Sequence, residues 1–427
     1  MINDNDSRNR IIGKIDWPIV LIYLALVLIG WFSIFSAKYN EAHPSIFDFL
    51  MEYGKQLIWI GIALLLGFVI LLIDAKFFNA FSLWIYIAVL FALVVVLVYG
   101  KATNGATSWI EFGPVKFQPA EFAKMATALA LAGFLDRRDV DITKRKDFII
   151  AGLIVIIPMI LVLVQNDTGS ALVFSSFIFV FYREGLPGAG WIMVYAVVAI
   201  VLFIFSIVWS TKVVSIILAV LLALTLAYKF LTTRRGIVKT LVVFACMFVF
   251  VFGSNFAFNH EKFPTHQHDR ILVLLNQLDD PKGVGYNVHQ SKIAIGSGGL
   301  SGKGFLEGTQ TKYDFVPEQH TDFIFCTVGE EGGFLGTATV VLLYVALLVR
   351  LIVLAERQRT DFSRVYGYAI AGIFFMHFAI NIGMTIGLMP VIGIPLPFLS
   401  YGGSSMLAFT IMLAIFVKQD ANRLNVL

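Results

Sequence analysis

One carboxylate lies where a polar segment meets an apolar one. Asp322 follows Glu318 and His320 in VPEQHTDF and precedes an apolar run that begins at Phe323. A carboxylate held partly in apolar surroundings has a raised pKa, which suits a general base that takes a proton from a hydroxyl group. An N-cap of the following helix is the alternative interpretation of the same residue. The spacing indicates a candidate base and leaves both roles open.

A glycine-rich segment and its neighbours supply cations that could bind an anion. SKIAIGSGGLSGKGF contains Lys292 and Lys303, and Arg270 precedes it in HQHDR. The segment is not a Walker A loop, because Ser297 stands where the first glycine of that motif would be. A glycine-rich turn can still bind a lipid pyrophosphate through its backbone N–H groups. We therefore expect phosphate binding without a nucleotide-binding loop.

Metal and disulfide chemistry are not indicated by the cysteines and histidines. Cys246 and Cys326 both lie in apolar stretches, which favours neither a disulfide nor a metal framework. His266 and His268 are two residues apart and lack an evident third ligand, so they are a weak metal signal. The sequence predicts no protein-bound metal centre.

Several ionisable residues lie within apolar runs, where an unpaired charge is costly. Glu121 and Lys124 are three residues apart, on one face of a helix, and either pair with each other or line a polar cavity. Glu330 and Glu331 belong either to a buried network or to a substrate site. Asp167, in QNDTGS, is expected to cap the helix that follows it.

The composition places these residues in a membrane protein. Hydrophobic residues make up 58% of the 427-residue chain and charged residues only 14%, whereas an ordinary soluble domain carries about 25% charged residues. Spanning helices need about 20 mostly apolar residues. We predict an all-α polytopic membrane protein with about twelve such runs, at 18–37, 56–74, 79–99, 119–135, 148–165, 169–183, 190–209, 213–230, 237–257, 323–349, 365–388 and 403–417.

The basic residues predict the orientation of the chain. Most of the 32 Lys and Arg residues fall between spans on the side of the N-terminus, which predicts that both termini are cytoplasmic. The basic net charge of +4 then reflects topology, and we expect no nucleic-acid partner. Two long segments, an amphipathic loop at 100–118 and a loop at 258–322, fall on the outer face. We expect the longer loop to be partly ordered and the function to face outwards.

Six motifs together resemble one protein family. The chain is similar to the SEDS family (shape, elongation, division and sporulation), and to its rod-shape branch more than its division branch. The resemblance covers nearly all of the chain except about 190–257. The motifs are KIDW at 14–17, SWIEFGPVKFQPAEFAK at 108–124, QNDTGSALV at 165–173, GYNVHQSKIAIGSGGLSGKGFLEGTQ at 285–310, FVPEQHTDFIF at 315–325 and MPVIGIPLPFLSYGGSS at 389–405.

The resemblance implies a peptidoglycan glycosyltransferase that polymerises lipid II on the outer face of the cytoplasmic membrane. It also implies a class B penicillin-binding protein as partner, a place in the cell-elongation machinery, and Asp322 as the essential carboxylate. A divalent cation such as magnesium would complement the basic residues at the departing pyrophosphate. The residues we expect to bind substrate are Trp109, Lys116, Gln118, Glu121, Lys124, Arg270, Lys292, Lys303, Glu318 and His320.

The chain departs from the family pattern in three places. Ser108 stands where the family usually has Arg, so one phosphate or sugar contact is lost or supplied elsewhere. Asn166 and Thr168 replace the usual Pro and Leu. An extra helix pair at 213–257 raises the usual ten spans to twelve and keeps the following loop outside.

Two other functions compete with the polymerase. A transporter that flips lipid II would use intramembrane charges as a substrate path, but such a path needs polar groups at both membrane faces. A non-catalytic scaffold of the elongation machinery would tolerate the loss of Asp322.

Overall fold

The computed structural model describes residues 13–39, 45–103, 106–113, 115–186, 189–208, 211–232, 237–258, 265–275, 277 and 285–424. Within them the chain is mostly helical and forms two compact units. One unit is Met1–Leu186 with Asn287–Leu427, and the other is Pro187–Tyr286. The helix pair that the sequence adds to its single membrane domain, 213–257, falls within the second unit.

The first unit contains most of the helices. Before the second unit they are α1 (Trp17–Ala37), α2 (Glu52–Leu72), α3 (Ala75–Ala80), α4 (Ser82–Tyr99), α5 (Pro119–Leu135), α6 (Arg145–Val164), α7 (Thr168–Val173), a 3₁₀ turn (Phe174–Phe177) and α8 (Ile178–Arg183). The second unit contains α9 (Ala189–Val208), α10 (Thr211–Thr232), α11 (Ile237–Phe258) and α12 (Thr265–Leu274). The first unit resumes with α13 (Tyr286–Ser297), α14 (Thr309–Lys312), α15 (Ile324–Glu356), α16 (Asp361–Thr385) and α17 (Gly403–Asn422).

The apolar runs of the sequence correspond to these helices. Each of the twelve runs lies on helical segments, and 169–183 is divided among α7, the 3₁₀ turn and α8. In the described residues seven helices are long and apolar enough to cross a membrane, and three further apolar helices are shorter. The chain is therefore a multi-pass membrane protein, and the number of twelve spans stays a prediction.

The loop at 100–118 corrects the expectation of an all-α protein. It forms a three-stranded antiparallel sheet of β1 (Lys101–Thr103), β2 (Ala106–Phe112) and β3 (Val115–Phe117). Aromatic and β-branched residues favour strands, and Gly113 turns the chain at a φ of +62° between β2 and β3. The amide of Thr107 donates to the carbonyl of Gln165 over 2.9 Å, which anchors the sheet to the end of α6.

Helix α5 lies in the middle of the first unit. It packs against α4, α6 and α16, and nearly all of its residues from Pro119 to Ala132 are buried. Alanines recur along it, and small side chains allow neighbouring helices to approach closely in a membrane. Its buried first turns bring Glu121 and Lys124 inside the helix bundle.

The second unit has a core of its own. Helices α9, α10 and α11 pack on one another, and the side-chain amide of Asn255 donates to the hydroxyl oxygen of Ser206 over 3.0 Å. The predicted helix pair at 213–257 matches α10 and α11. The core residues are Ala199, Leu202, Val214, Leu218, Met247 and Val251.

Candidate active site

A stripe of polar residues runs along one face of α16. His377, Asn381 and Thr385 are four residues apart, a spacing that aligns side chains on a helix. All three residues are fully buried. Buried polar groups need hydrogen-bond partners, and the partners of this stripe define the site.

The first partner is the non-helical segment at 391–400, which we call the proline segment. Pro395 and Pro397 have no backbone N–H, and irregular backbone at membrane depth is tolerated only when it is buried and hydrogen-bonded. Several carbonyls of this segment accept bonds from other elements. His377 Nδ1 lies 3.0 Å from the Pro395 carbonyl, and the hydroxyl of Tyr344 donates to the Pro397 carbonyl.

Asn381 connects the proline segment to Asp322. Its amide nitrogen donates to the Ile394 carbonyl over 2.7 Å and to the backbone carbonyl of Asp322 over 2.8 Å. Gly393, at a φ of +70°, lies beside the carboxylate of Asp322, since a Cβ placed there would be 3.3 Å from Oδ2. The site thus holds the backbone of Asp322 and places its carboxylate against Gly393.

Asp322 does not occupy the N-cap position that the alternative interpretation needs. The N-cap of α15 is Phe323, which makes no side-chain capping bond. Two further bonds hold the residues that precede Asp322. The hydroxyl of Ser400 donates to the Thr321 carbonyl over 2.6 Å, and the amide of Tyr401 donates to the His320 carbonyl over 2.9 Å. Asp322 is half-buried at the entrance to α15.

Glu121 and Lys124 form a buried ion pair. Lys124 Nζ lies 2.7 Å from Glu121 Oε1 and 2.8 Å from His377 Nε2. All three residues are fully buried, and the ring of Phe409 covers the ammonium group with its centroid 5.6 Å away. Of the two alternatives left open by the sequence, this geometry matches the ion pair.

The sheet carries two of the expected substrate-binding residues, Trp109 and Lys116, and a third, Gln118, directly follows it. Lys116 is exposed and lies 3.6 Å from Glu111 on the adjacent strand, while Trp109 is half-buried on β2. The side chain of Gln118 donates to Asp167 over 3.0 Å. Asp167 also caps α7 as expected, because it accepts from the Ser170 amide over 2.9 Å. Gln118 therefore connects the end of the sheet to α7.

Asn166 and Ser108, two departures from the family pattern, are also described. Asn166 has a φ of +60°, which proline cannot adopt because its ring holds φ near −65°. The turn before Asp167 therefore depends on Asn166 and could not form with the proline that the family usually has here. Ser108 is buried, so its hydroxyl does not offer an exposed contact in place of an arginine.

Lys303 is engaged by a buried carboxylate of α15. Its ammonium group lies 2.6 Å from Glu330 Oε1, and Glu330 also accepts from the backbone amides of Gln310 and Thr311, over 2.8 and 2.9 Å. Glu331 accepts from the hydroxyl of Ser36. Both glutamates thus belong to a buried network, one of the two alternatives that the sequence leaves open.

The glycine segment uses part of its backbone to pack against α15, so those amides are not available to an anion. The amides of Lys303 and Gly304 donate to the carbonyls of Glu330 and Glu331 over 3.0 and 3.2 Å. A Cβ at Gly302 would clash with the Glu331 carbonyl. Helix α15 is broken here, since Gly333 has a φ of +61° and a ψ of −156°, and the freed carbonyls accept bonds from the glycine segment.

Lys292 and His320 contact different parts of the first unit. Lys292, on α13, is exposed and approaches Gly387, two residues beyond the end of α16. Ser291 beside it donates to the Thr385 carbonyl over 2.9 Å. His320 is half-buried against the ring of Tyr401, and burial, reinforced by Lys38, lowers the pKa of its imidazole.

Glu318 and Arg270 complete the set of expected binding residues. Glu318 is exposed, has a φ of +55° and accepts from the Thr321 hydroxyl over 2.9 Å, so it shapes the turn before Asp322. Arg270 lies on α12 of the second unit and is half-buried. The described residues contain no group of three or more His, Cys, Asp or Glu that could hold a metal ion.

The structure brings together residues that the sequence analysis treated separately. His377 bonds to Lys124, the partner of Glu121, and Asn381 bonds to Asp322. His377 and Asn381 were not among the residues predicted from the sequence. The signal was present, because polar residues at intervals of four within the apolar run 365–388 indicate a buried polar face.

Comparisons with known proteins find relatives that cover most of this chain. The FTSW_RODA_SPOVE cell cycle protein family matches residues 16–218 and 189–424. The peptidoglycan glycosyltransferase MrdB of Escherichia coli strain K12 is 35% identical over 74% of this chain and 70% of its own. The peptidoglycan glycosyltransferase RodA of Treponema pallidum is 31% identical over 98% of this chain and 100% of its own.

Two solved structures have the same fold. A chain from a peptidoglycan synthase complex that coordinates polymerization and crosslinking matches with a TM-score of 0.67 and 27% identity, covering 96% of this chain and 98% of that one. The rod shape determining protein RodA of Thermus thermophilus matches with a TM-score of 0.61 and 26% identity, covering 96% and 97%. With the motifs and the buried site, these matches show that the chain belongs to the FtsW, RodA and SpoVE family of cell cycle proteins.

Proposed function

We propose that this chain is a peptidoglycan glycosyltransferase that polymerises lipid II, with Asp322 as its general base. The observation that carries the proposal is the fixed position of Asp322, whose backbone carbonyl accepts from Asn381 and whose carboxylate lies against Gly393. The curated relatives are named for the same activity. A role in cell elongation follows from the rod-shape relatives.

The chemistry needs one carboxylate. The donor sugar is attached to a pyrophosphate. Because pyrophosphate is already a good leaving group, no strong general acid is required. Asp322 takes the proton from the 4-hydroxyl of the acceptor GlcNAc as that oxygen attacks C1 of the donor MurNAc. The new glycosidic bond forms as the bond to pyrophosphate breaks, with inversion at C1. A positioned base of this kind contributes about 10²–10⁴-fold to a rate.

The departing pyrophosphate needs positive charge near it. Lys116 and Lys292 are exposed and suit that role. Lys303 is committed to Glu330, and Lys124 to Glu121 and His377, which makes these two less suitable. Arg270, Trp109, Gln118, Glu318 and His320 stay in the proposed binding surface, and a divalent cation such as magnesium would add to the charge.

The proposed setting is the outer face of the bacterial cytoplasmic membrane, with twelve spans and both termini in the cytoplasm. All twelve apolar runs are helical, which supports the count. The proposed partner is a class B penicillin-binding protein, a transpeptidase. A structural relative was solved in a complex that coordinates polymerization and crosslinking, which supports a partner of this type.

The test is glycan-strand formation from lipid II by the purified full-length chain, alone and with its penicillin-binding partner. We expect strands from the wild type and a rate lower by about 10²–10⁴-fold from Asp322→Asn. Glu307→Gln, which changes an exposed carboxylate of the same loop, is the matched control and is expected to retain activity.

The same preparation, together with a complementation test in cells, distinguishes the competing functions. Lipid II crossing liposome bilayers without strand formation would overturn the proposal in favour of a transporter. Full strand formation by Asp322→Asn would overturn the catalytic assignment. Complementation of cell shape by Asp322→Asn would favour a scaffold.

A further inference from the structure

The ion pair of Glu121 and Lys124 is closed to an external ligand. Neither residue has exposed surface. The ammonium group of Lys124 faces Glu121 at 2.7 Å and His377 at 2.8 Å, with the ring of Phe409 on a further side. A pyrophosphate would have to displace one of these neighbours to reach the charge.

The hydrogen bonds determine the state of His377. A carbonyl oxygen only accepts, so the contact with Pro395 requires the proton of His377 on Nδ1. The lone pair on Nε2 then accepts from the Lys124 ammonium group, which has only donors to offer. Lys124 thus selects the imidazole tautomer that donates to Pro395.

The Pro395 carbonyl lies next to the part of the backbone that contacts Asp322. The side-chain amide of Asn381 donates both to the carbonyl of Ile394, the preceding residue, and to the backbone carbonyl of Asp322. The carboxylate of Asp322 lies beside Gly393. A continuous path of hydrogen bonds and backbone therefore runs from Glu121 through Lys124 and His377 to the surroundings of Asp322.

We propose that Lys124 and His377 are positioning residues, which hold the proline segment in place around Asp322 and do not contact the lipid-linked substrate. This inference rests on the proposed function and deepens it, because it divides the basic residues into those that bind the substrate and those that organise the base. Glu121 contributes by orienting the ammonium group of Lys124, which lies 2.7 Å from its Oε1. Loss of either positioning residue is expected to lower kcat and to leave binding of lipid II unchanged.

A matched pair of substitutions separates the two bonds of His377. Asparagine places an amide near Nδ1 and keeps a donor for Pro395, whereas glutamine places its amide near Nε2 and keeps an acceptor for Lys124. We expect His377→Gln to lower kcat for strand formation at least tenfold, with the KM for lipid II within twofold of wild type. We expect His377→Asn to stay within about threefold of the wild-type kcat.

A double-mutant cycle with Lys124→Met tests the path itself. If Lys124 acts through His377, its substitution adds nothing in the His377→Gln background, because residues in one network are not additive. A tenfold rise in the KM for lipid II in Lys124→Met, additive with His377→Gln, would show that Lys124 binds substrate and would overturn the inference. Should Lys124→Met fail to fold, equal kcat values for His377→Asn and His377→Gln would overturn it.

The wild type and Asp322→Asn are run in the same assay. Strand formation by the wild type and its loss in Asp322→Asn uphold the proposed function whatever the His377 variants do. A failure of the positioning role is then distinguishable from a failure of the glycosyltransferase assignment.

Discussion

The side-chain amide of Asn381 donates a hydrogen bond of 2.8 Å to the backbone carbonyl of Asp322. Its second N–H donates to the carbonyl of Ile394 over 2.7 Å. One buried side chain on α16 therefore joins the entrance of α15 to the proline segment. The position of the proposed base depends on this bond.

Replacing Asn381 by leucine removes both donors and keeps the side-chain volume. Two buried carbonyls lose their partner, at a cost of about 1–3 kcal/mol each, so we expect a lower Tm and at least a tenfold lower kcat for strand formation. Thr385→Val is the control, since among the described residues that hydroxyl donates only to the Ile382 carbonyl of its own helix. Equal activity of Asn381→Leu and Thr385→Val would refute the role of the amide.

Lys303→Met tests whether Lys303 stabilises the fold or binds substrate. The substitution leaves the buried carboxylate of Glu330 without its cation, and breaking a buried pair costs about 3–5 kcal/mol; the partial exposure of Lys303 reduces this figure. We expect a lower Tm with the KM for lipid II unchanged, measured by thermal unfolding and steady-state kinetics. A raised KM at unchanged Tm would show instead that Lys303 contacts the substrate.

Gly302→Ala tests the packing of the glycine segment on α15. A Cβ at this position would clash with the Glu331 carbonyl, and the φ of +79° strains any other residue. Gly296→Ala is the control, because no atom lies within 4 Å of its added Cβ. We expect Gly302→Ala to lose most of its folded yield, and Gly296→Ala to match the wild type in size-exclusion profile and Tm. Similar behaviour of the two variants would contradict the packing.

The lowered pKa of His320 leads us to expect that the stability of the protein depends on pH. Burial lowers the pKa of its imidazole below the ordinary 6.5, so between these two values the unfolded chain binds more protons than the folded one. The free energy of unfolding then falls as the pH drops from about 6.5 towards the folded-state pKa. Thermal unfolding between pH 7.5 and 5 should show a smaller loss in His320→Gln than in the wild type, and identical pH profiles would contradict this.

The helices were predictable because a membrane span has a characteristic length and composition. Every apolar run of the sequence is helical in the structure. The sheet at 101–117 was missed because its strands have only three to seven residues, too few for periodicity to be evident beside a run of twenty apolar residues. Its aromatic and β-branched residues were the available signal.

The position of Asp322 was predictable, whereas its supports were not. A change from polar to apolar sequence marks the entrance to α15 and singles out the carboxylate. Asn381 lies 59 residues further along the chain, and only the packing of α16 against the proline segment brings it close. The spacing of His377, Asn381 and Thr385 could have indicated a buried polar face, but not what that face contacts.

The glycine segment shows why composition alone does not predict function. Glycines permit a backbone to approach a phosphate or another backbone equally well. Here the break in α15 at Gly333 exposes carbonyls, and the amides of Lys303 and Gly304 donate to two of them. Those partners lie in a different part of the sequence, so the choice between the two roles required the structure.

The most direct test of the account is the kcat of Asp322→Asn for strand formation, measured beside the Kd for lipid II. Asparagine keeps the shape of the side chain and its backbone bond to Asn381 but cannot take a proton. The account predicts a kcat lower by about 10²–10⁴-fold, with the Kd for lipid II within threefold of wild type. A kcat within threefold of the wild type would contradict the assignment of Asp322 as the general base.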